Sequence, residues 1–160
     1  MKKLDLNIFI YEYNWQELDK TDIGLLEKAQ QACANAYAPY SHFHVGAAIL
    51  LDNGNILLGS NQENAAYPSG LCAERTAIFA AGANFPTQTI LSIAIAACKQ
   101  NESCFKTISP CGACRQVMLE YEVKQQKPIR FLMQGENNNI YISPSIKNLL
   151  PLQFTVSQLS

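Results

Sequence analysis

At 160 residues, with 48% hydrophobic and 16% charged side chains, the chain has the size of one ordinary domain, since domains run to roughly 100–200 residues. Twelve Lys and Arg against thirteen Asp and Glu give a net charge of -1, which argues against a long polyanion such as nucleic acid as the main partner. The charged fraction falls below the roughly 25% usual for soluble domains, as expected of a subunit that buries part of its surface against others.

The opening MKKLDLNIFIYEYNW pairs two lysines with an apolar run, but Asp5, Asn7 and Glu12 interrupt it and no small-residue cleavage site follows, so it predicts no export signal. Residues 1–20 show no clean period and are expected to be an extension packed on a single domain spanning 21–160. From Asp22 onward, Leu25, Ala29, Ala32, Cys33 and Ala36 recur at three and four, which predicts an amphipathic helix that Pro39 must end. VGAAILL, the turn Asp52-Asn53-Gly54-Asn55 and NILLGS predict a β-hairpin over 45–60. After a loop from Asn61 to Gly70, CAERTAIFAAGA predicts a second helix that ends at its glycine, ahead of Pro86. LSIAIAAC at 91–98 predicts a buried strand, too short to span a membrane. CGACRQVMLEYE, preceded by Pro110, predicts a third helix. PIRFLMQ and NIYIS predict two strands across a GENNN turn, and SIKNLLP a short last helix. The order predicts an α/β three-layer sandwich, a five-stranded mixed sheet with helices on both faces. No phosphate-cradling loop is present, because GANFP and GENNN lack the spacing. A cytoplasmic location is expected, with neither membrane nor nucleic acid as a partner.

Six cysteines, at 33, 72, 98, 104, 111 and 114, need a chemical explanation, because in a reducing compartment spaced cysteines mean metal or catalysis more often than disulfides. Cys111-Gly-Ala-Cys114 puts two thiols at i and i+3 on the opening turn of a predicted helix, facing the same way. Free backbone N–H groups and the helix dipole favour thiolates there, the form that binds zinc or attacks as a nucleophile. Alone, the pair reads equally as metal ligands or as a redox dithiol. Cys72 also opens a predicted helix, so two helix N-termini could converge and offer three thiolates to one ion at about 2.3 Å. A structural zinc site closes its sphere with a fourth protein ligand, whereas a catalytic one keeps that position for water. The sequence offers Glu74, two residues past Cys72, near enough to take a proton from such a water without ligating the metal. By itself Glu74 is also an ordinary first-turn acid. His42 and His44 alternate with Phe43 at a strand entrance and are not expected to be ligands. Cys33 on a helix face, Cys98 at a strand end and Cys104 in a polar loop are expected to be buried or incidental thiols.

Three segments, YAPYSHFHVGAAIL (37–50), NQENAAYPSGLCAERTAIF (61–79) and SPCGACRQVMLEY (109–121), resemble those of the cytidine deaminases of the small homotetrameric kind, over roughly Leu25 to Phe154. Zinc nucleobase deaminases as a group carry His or Cys, a Glu two residues on, and a downstream Pro-Cys-x-x-Cys. This chain is similar to the three-cysteine version, with Pro110 in place. The resemblance implies a cytoplasmic homotetramer with one zinc ion per subunit, held by Cys72, Cys111 and Cys114. It implies hydrolytic deamination of cytidine and deoxycytidine to uridine and deoxyuridine plus ammonia, a step of pyrimidine salvage.

By the same resemblance Glu74 is catalytic, carrying a proton from the attacking water to N3 of the base and another to the departing amine. Arg75 hydrogen-bonds ligand sulfur and offsets the negative charge that three thiolates leave on a divalent ion; outside the resemblance it is a surface arginine paired with a carboxylate. Asn61 and Glu63 bind the ribose hydroxyls. Phe43 stacks on the pyrimidine, Tyr67 lines the site, and the backbone of Ala73 and the carbonyl of Ser109 meet the base edge and leaving amine. Phe154 resembles a C-terminal aromatic that reaches a neighbouring subunit's site, although LLPLQF departs here from the commoner LLPGAF ending. Two rival readings stand beside this one. The first is a deaminase for another aminopyrimidine such as blasticidin S, which shares CxE and PCxxC. The second is a zinc-stabilised interaction module, which requires a fourth protein ligand and has no need of Glu74.

Overall fold

The computed structural model describes residues 1–102 and 104–159. Its regular elements are β1 (Tyr11–Asn14), α1 (Lys20–Cys33), β2 (Phe43–Leu51), β3 (Ile56–Ser60), α2 (Ala73–Asn84), β4 (Ile90–Lys99), α3 (Gly112–Gln125), β5 (Arg130–Gln134) and β6 (Asn139–Ser143). The strands form one sheet in the order β1-β6-β5-β4-β2-β3. β4 and β5 run parallel, as the α3 crossover between them requires, and the other neighbours are antiparallel.

Alternation along the strands assigns the two faces. Ala47, Ile49 and Leu51 of β2, Ile93 and Ile95 of β4, and Phe131 and Met133 of β5 pack with α2 and α3. The residues between them, Ala48, Ala94, Ala96 and Leu132, turn to the other face and pack on Leu25, Leu26, Ala29 and Cys33 of α1. Alanines predominate on that second face, so α1 lies close to the sheet. The result is three layers, as expected of the fold class. Asp22, buried on α1, receives two hydrogen bonds from Arg130 of β5, at 2.9 and 2.7 Å, and fixes the helix across the sheet.

The sheet has six strands where the sequence predicts five. Tyr11–Asn14 pairs with β6, Tyr11 opposite Ile142 and Tyr13 opposite Ile140. Four mixed residues show too little alternation to mark a strand, and their partner lies more than a hundred residues away. α1 also differs at both ends. Asp19 caps it by accepting from the Asp22 amide at 2.8 Å, and it stops at Cys33, well short of Pro39, because the chain turns away to pair Tyr37 N–H with Asn61 O. α2 runs through Gly82 to Asn84. Gly82 serves packing, not termination: a Cβ there would stand 2.5 Å from the Tyr121 hydroxyl on α3. Gly54, with φ +83°, does supply the hairpin turn. The expected last helix is a 3-10 turn, Ile146–Leu149.

The chain exposes 9173 Å², more than the about 8,000 Å² of a compact monomer of this mass. Leu4, Leu6, Phe9, Ile10, Phe154 and Leu159, near the two ends, are exposed apolar side chains. Among the described residues no helix is long and apolar enough to cross a membrane.

Candidate active site

Cys72 and Cys111 hold the same station on two helices. Each is the N-cap, in extended backbone, of α2 and α3 respectively, and neither side chain caps its own helix. Their sulfurs are therefore left for something else at a place where two helix dipoles favour anions. The start of α2 is seated on the sheet by a close backbone approach. At Gly59 of β3, a Cβ would meet Ala73 O at 2.5 Å and Ala77 N at 2.6 Å, so only glycine lets the opening of α2 lie on that strand. Cys114, one turn inside α3, is fully buried.

The three sulfurs lie within 4.8 Å of one another, with Cys72 to Cys111 at 3.9 Å and Cys111 to Cys114 at 3.4 Å. Ligands about 2.3 Å from a tetrahedral zinc ion stand about 3.8 Å apart. The donor set thus fits zinc in number, chemistry and spacing, and among the described residues no fourth His, Cys, Asp or Glu joins it. His42 bonds Gln100 Oε1 through Nδ1 at 3.0 Å, and His44 pairs with Cys98 across β2 and β4. Neither belongs to the group formed by Cys72, Cys111 and Cys114.

The charges around the cluster are arranged for anions. The Cys72 thiol is lowered to about 5, first by a hydrogen bond from Cys114 and then by Arg75 against the opposing effect of burial. Arg75 Nη2 donates to Cys72 Sγ at 3.8 Å, and its buried Nε has no hydrogen-bond partner among the described residues. Cys114 moves the other way, because it supplies the hydrogen that stabilises Cys72 and is itself buried. Three close thiols cannot all ionise together, and a dication removes that antagonism. Glu74, 4% exposed, is pushed up chiefly by burial, with the Cys72 charge adding to the rise and its own backbone amide opposing it. A buried carboxyl with a raised pKa gains and gives up protons closer to neutral pH than a surface one.

A cleft of about 270 Å³ opens beside Cys72 and Arg75, lined also by Asn61, Glu63 and Tyr67. Asn61 Oδ1 accepts from Val45 N at 2.8 Å and its Nδ2 donates to Phe43 O at 2.9 Å, so this side chain also fixes the entrance of β2. Glu63 Oε2 accepts from Tyr40 N at 2.9 Å and Ser41 N at 3.3 Å. The Ser41 hydroxyl, and then the Tyr40 amide, hold its carboxyl below the ordinary range. Tyr67 stands edge-on to Tyr40, ring centres 6.3 Å apart. Phe43 begins β2 half-buried and Ala73 begins α2 fully buried, both outside the cleft lining. Ser109 lines a separate cavity with Ile108, Arg115 and Leu149. Phe154 is 57% exposed, its carbonyl held by Gln116 Nε2 at 2.8 Å.

Two residues of α3 that order its surroundings escape a reading of the sequence. Arg115, next to the ligand Cys114, donates to Pro110 O at 2.8 Å, Leu149 O at 3.0 Å and Ser109 Oγ at 3.2 Å. Glu122, buried on α3, accepts from Ile129 N, Ile146 N and Ser145 Oγ at 2.7, 2.9 and 2.6 Å. Adjacency to CxxC is the only sequence signal for the first, and the second has none, because its partners are mainly backbone amides.

Residues 19–127 match the family described as the cytidine and deoxycytidylate deaminase zinc-binding region. A cytidine deaminase of Halalkalibacterium halodurans is 39% identical over 136 residues, 85% of this chain and 96% of that protein. The crystal structure of cytidine deaminase from Burkholderia pseudomallei superposes with a TM-score of 0.71 at 37% identity, covering 82% of this chain and 97% of that one. A blasticidin-S deaminase of Bacillus cereus is 29% identical over 140 residues, 86% of this chain and 95% of its own length.

Proposed function

Since the chain belongs to the cytidine and deoxycytidylate deaminase family, we propose that it hydrolyses the C4 amine of cytidine and deoxycytidine, giving uridine or deoxyuridine and ammonia, a step of pyrimidine salvage. The observation that carries this reading is the buried carboxyl of Glu74 beside three thiols that lack a fourth protein ligand among the described residues. A structural zinc site would have used such a ligand.

Cys72, Cys111 and Cys114 would hold one zinc ion per subunit, and when bound it supplies an acidified water as the nucleophile. Glu74 accepts the proton that this water loses. The carboxyl holds it away from solvent and passes it to N3 as oxygen joins C4, then takes the remaining proton from that oxygen and delivers it to the amine as the C4–N bond breaks and C4=O forms. One water is consumed and one ammonia leaves, so the carboxyl returns to its starting charge. Arg75, bonded to Cys72 Sγ, offsets the thiolate charge.

On the substrate side, Asn61 and Glu63 take the ribose hydroxyls; the backbone bonds of Glu63 engage Oε2, which leaves Oε1 for a hydroxyl. Phe43 stacks on the base, Tyr67 lines the cleft, and the Ala73 backbone and Ser109 carbonyl meet the base edge and amine. Phe154 serves a neighbouring subunit of a homotetramer, a reading supported by its exposure and by the apolar side chains left bare near both chain ends. Residues 21–160 form the catalytic domain, and 1–20 are an extension that adds β1 to its sheet and supplies the Asp19 cap of α1. Free cysteines throughout the described chain suit a reducing, cytoplasmic setting.

A nucleoside panel tests the assignment. Ammonia release from cytidine and deoxycytidine is expected. Turnover of blasticidin S alone would transfer the chain to the related deaminases, and zinc-loaded protein that turns over neither would leave only the interaction module.

A further inference from the structure

The three sulfurs are not equally supported. Cys114 lies inside α3 and is fully buried, and Cys72 is half-buried where α2 rests on Gly59. Cys111 is exposed and is approached by a loop, 104–110, that contains no helix or strand. Lys106 N ties that loop to Ala97 O at 2.8 Å, and Thr107 Oγ1 accepts from Glu136 N at 3.0 Å. From Ile108 to Pro110, the hydrogen bonds among the described residues both come from Arg115, to Ser109 Oγ and Pro110 O. Its remaining bond reaches Leu149 O in the C-terminal 3-10 turn.

We infer that Arg115 is a positioning residue for the metal centre: it clamps the Ser109–Pro110 peptide against α3 and the Leu149 turn, so that Cys111 keeps its sulfur 3.4 Å from that of Cys114. The inference rests on the zinc reading above. Two features of the chain make a single side chain sufficient. Pro110 disfavours the helical region for Ser109 and so narrows its freedom, and fixing the Pro110 carbonyl and the Ser109 hydroxyl then fixes the peptide between them. The planar guanidinium presents several donors in a rigid fork, which reaches three acceptors in different directions, whereas a lysine ammonium on its flexible stem does not hold the same geometry. Ser109 O has no hydrogen-bond partner among the described residues, so the clamp also aims the carbonyl that the functional reading assigns to the leaving amine.

The test measures zinc loss, with no nucleoside present. Zinc-loaded wild type, Arg115→Lys, Arg115→Gln and Asp22→Asn are mixed with excess chromogenic chelator, and the rate of zinc transfer is followed beside each protein's thermal midpoint. Both Arg115 variants should release zinc about 10–100-fold faster, the usual cost of losing an outer partner of a ligand. Asp22→Asn, which weakens the pair with Arg130 on the opposite face, should lower the midpoint and leave the rate unchanged. Ser109→Ala, which keeps the arginine and removes one acceptor, should give a smaller acceleration and keeps the question open to measurement even if both Arg115 variants misfold. Wild-type release rates in the Arg115 and Ser109 variants, or a rate in Asp22→Asn raised as much as theirs for the same loss of midpoint, would overturn the inference. A protein that retains zinc with the expected rates yet ignores cytidine would fail the functional reading alone.

Discussion

Cys33 and Cys72 are the same side chain at opposite ends of two helices, on opposite faces of one sheet. Cys33 is the last residue of α1, where carbonyls collect; its Sγ donates to Ala29 O at 3.7 Å and Ala96 O at 3.3 Å. Burial pushes its thiol up to about 12. Cys72 precedes the first residue of α2, where donors collect, and Cys114 and Arg75 bring it down to about 5. A cysteine becomes a ligand here because donors surround its sulfur and other thiols share the place. Where acceptors surround it, the same atom is core.

The comparison breaks most severely if the wrong face holds the metal. Cys111→Ala or Cys114→Ala should lose bound zinc and all deaminase activity, whereas Cys33→Ala and Cys98→Ala should keep a full complement. Elemental analysis of the purified variants decides this, and zinc loss on replacing Cys33 would erase the distinction. Next in size, Glu74→Gln should retain zinc and lower kcat by about 10²–10⁴, the range of a general acid–base group, since a neutral amide cannot carry the proton.

A third experiment sharpens the contrast by pH. In chelated protein the lowered thiol is a thiolate above its pKa, so alkylation of Cys72 by iodoacetamide should rise through a midpoint near pH 5; Cys33, with its raised thiol, should stay protonated and unlabelled until about pH 12. Peptide mass mapping after short exposure reads both sites, and equal labelling at pH 7 would contradict the account. The smallest effect belongs to the α1 face. Asp22→Asn weakens a bidentate pair whose arginine side chain is 43% exposed, so solvent screens part of the loss. Urea unfolding should give about 1–2 kcal/mol less stability with kcat unaltered.

The same contrast explains what a reader of the sequence can and cannot see. The metal face is legible because its chemistry is local: Cys72 and Glu74 are two apart, Cys111 and Cys114 three, and each pair opens a helix with an Ala-rich or proline-led start. The hairpin, the buried β4 and the pair β5 and β6 are legible from apolar runs bounded by turn residues. β1 is not, because an edge strand of four residues exists only through register with Ile140 and Ile142. Gly82 reads as a terminator, since the ring of Tyr121 that requires a glycine there comes from another helix. Arg115 and Glu122 stay hidden for a related reason. Their partners are mostly backbone atoms brought near by the tertiary fold, and backbone atoms leave no mark in a sequence.

The central claim, that a three-thiolate zinc site with Glu74 deaminates cytidine, is tested most directly by one titration. Metal-free protein is reloaded in steps, and ammonia release from cytidine is plotted against zinc bound per chain. Activity should be absent at zero zinc, rise in proportion, and stop rising at one ion per chain. Activity that persists without zinc, or a fully loaded protein that leaves cytidine intact, would contradict it.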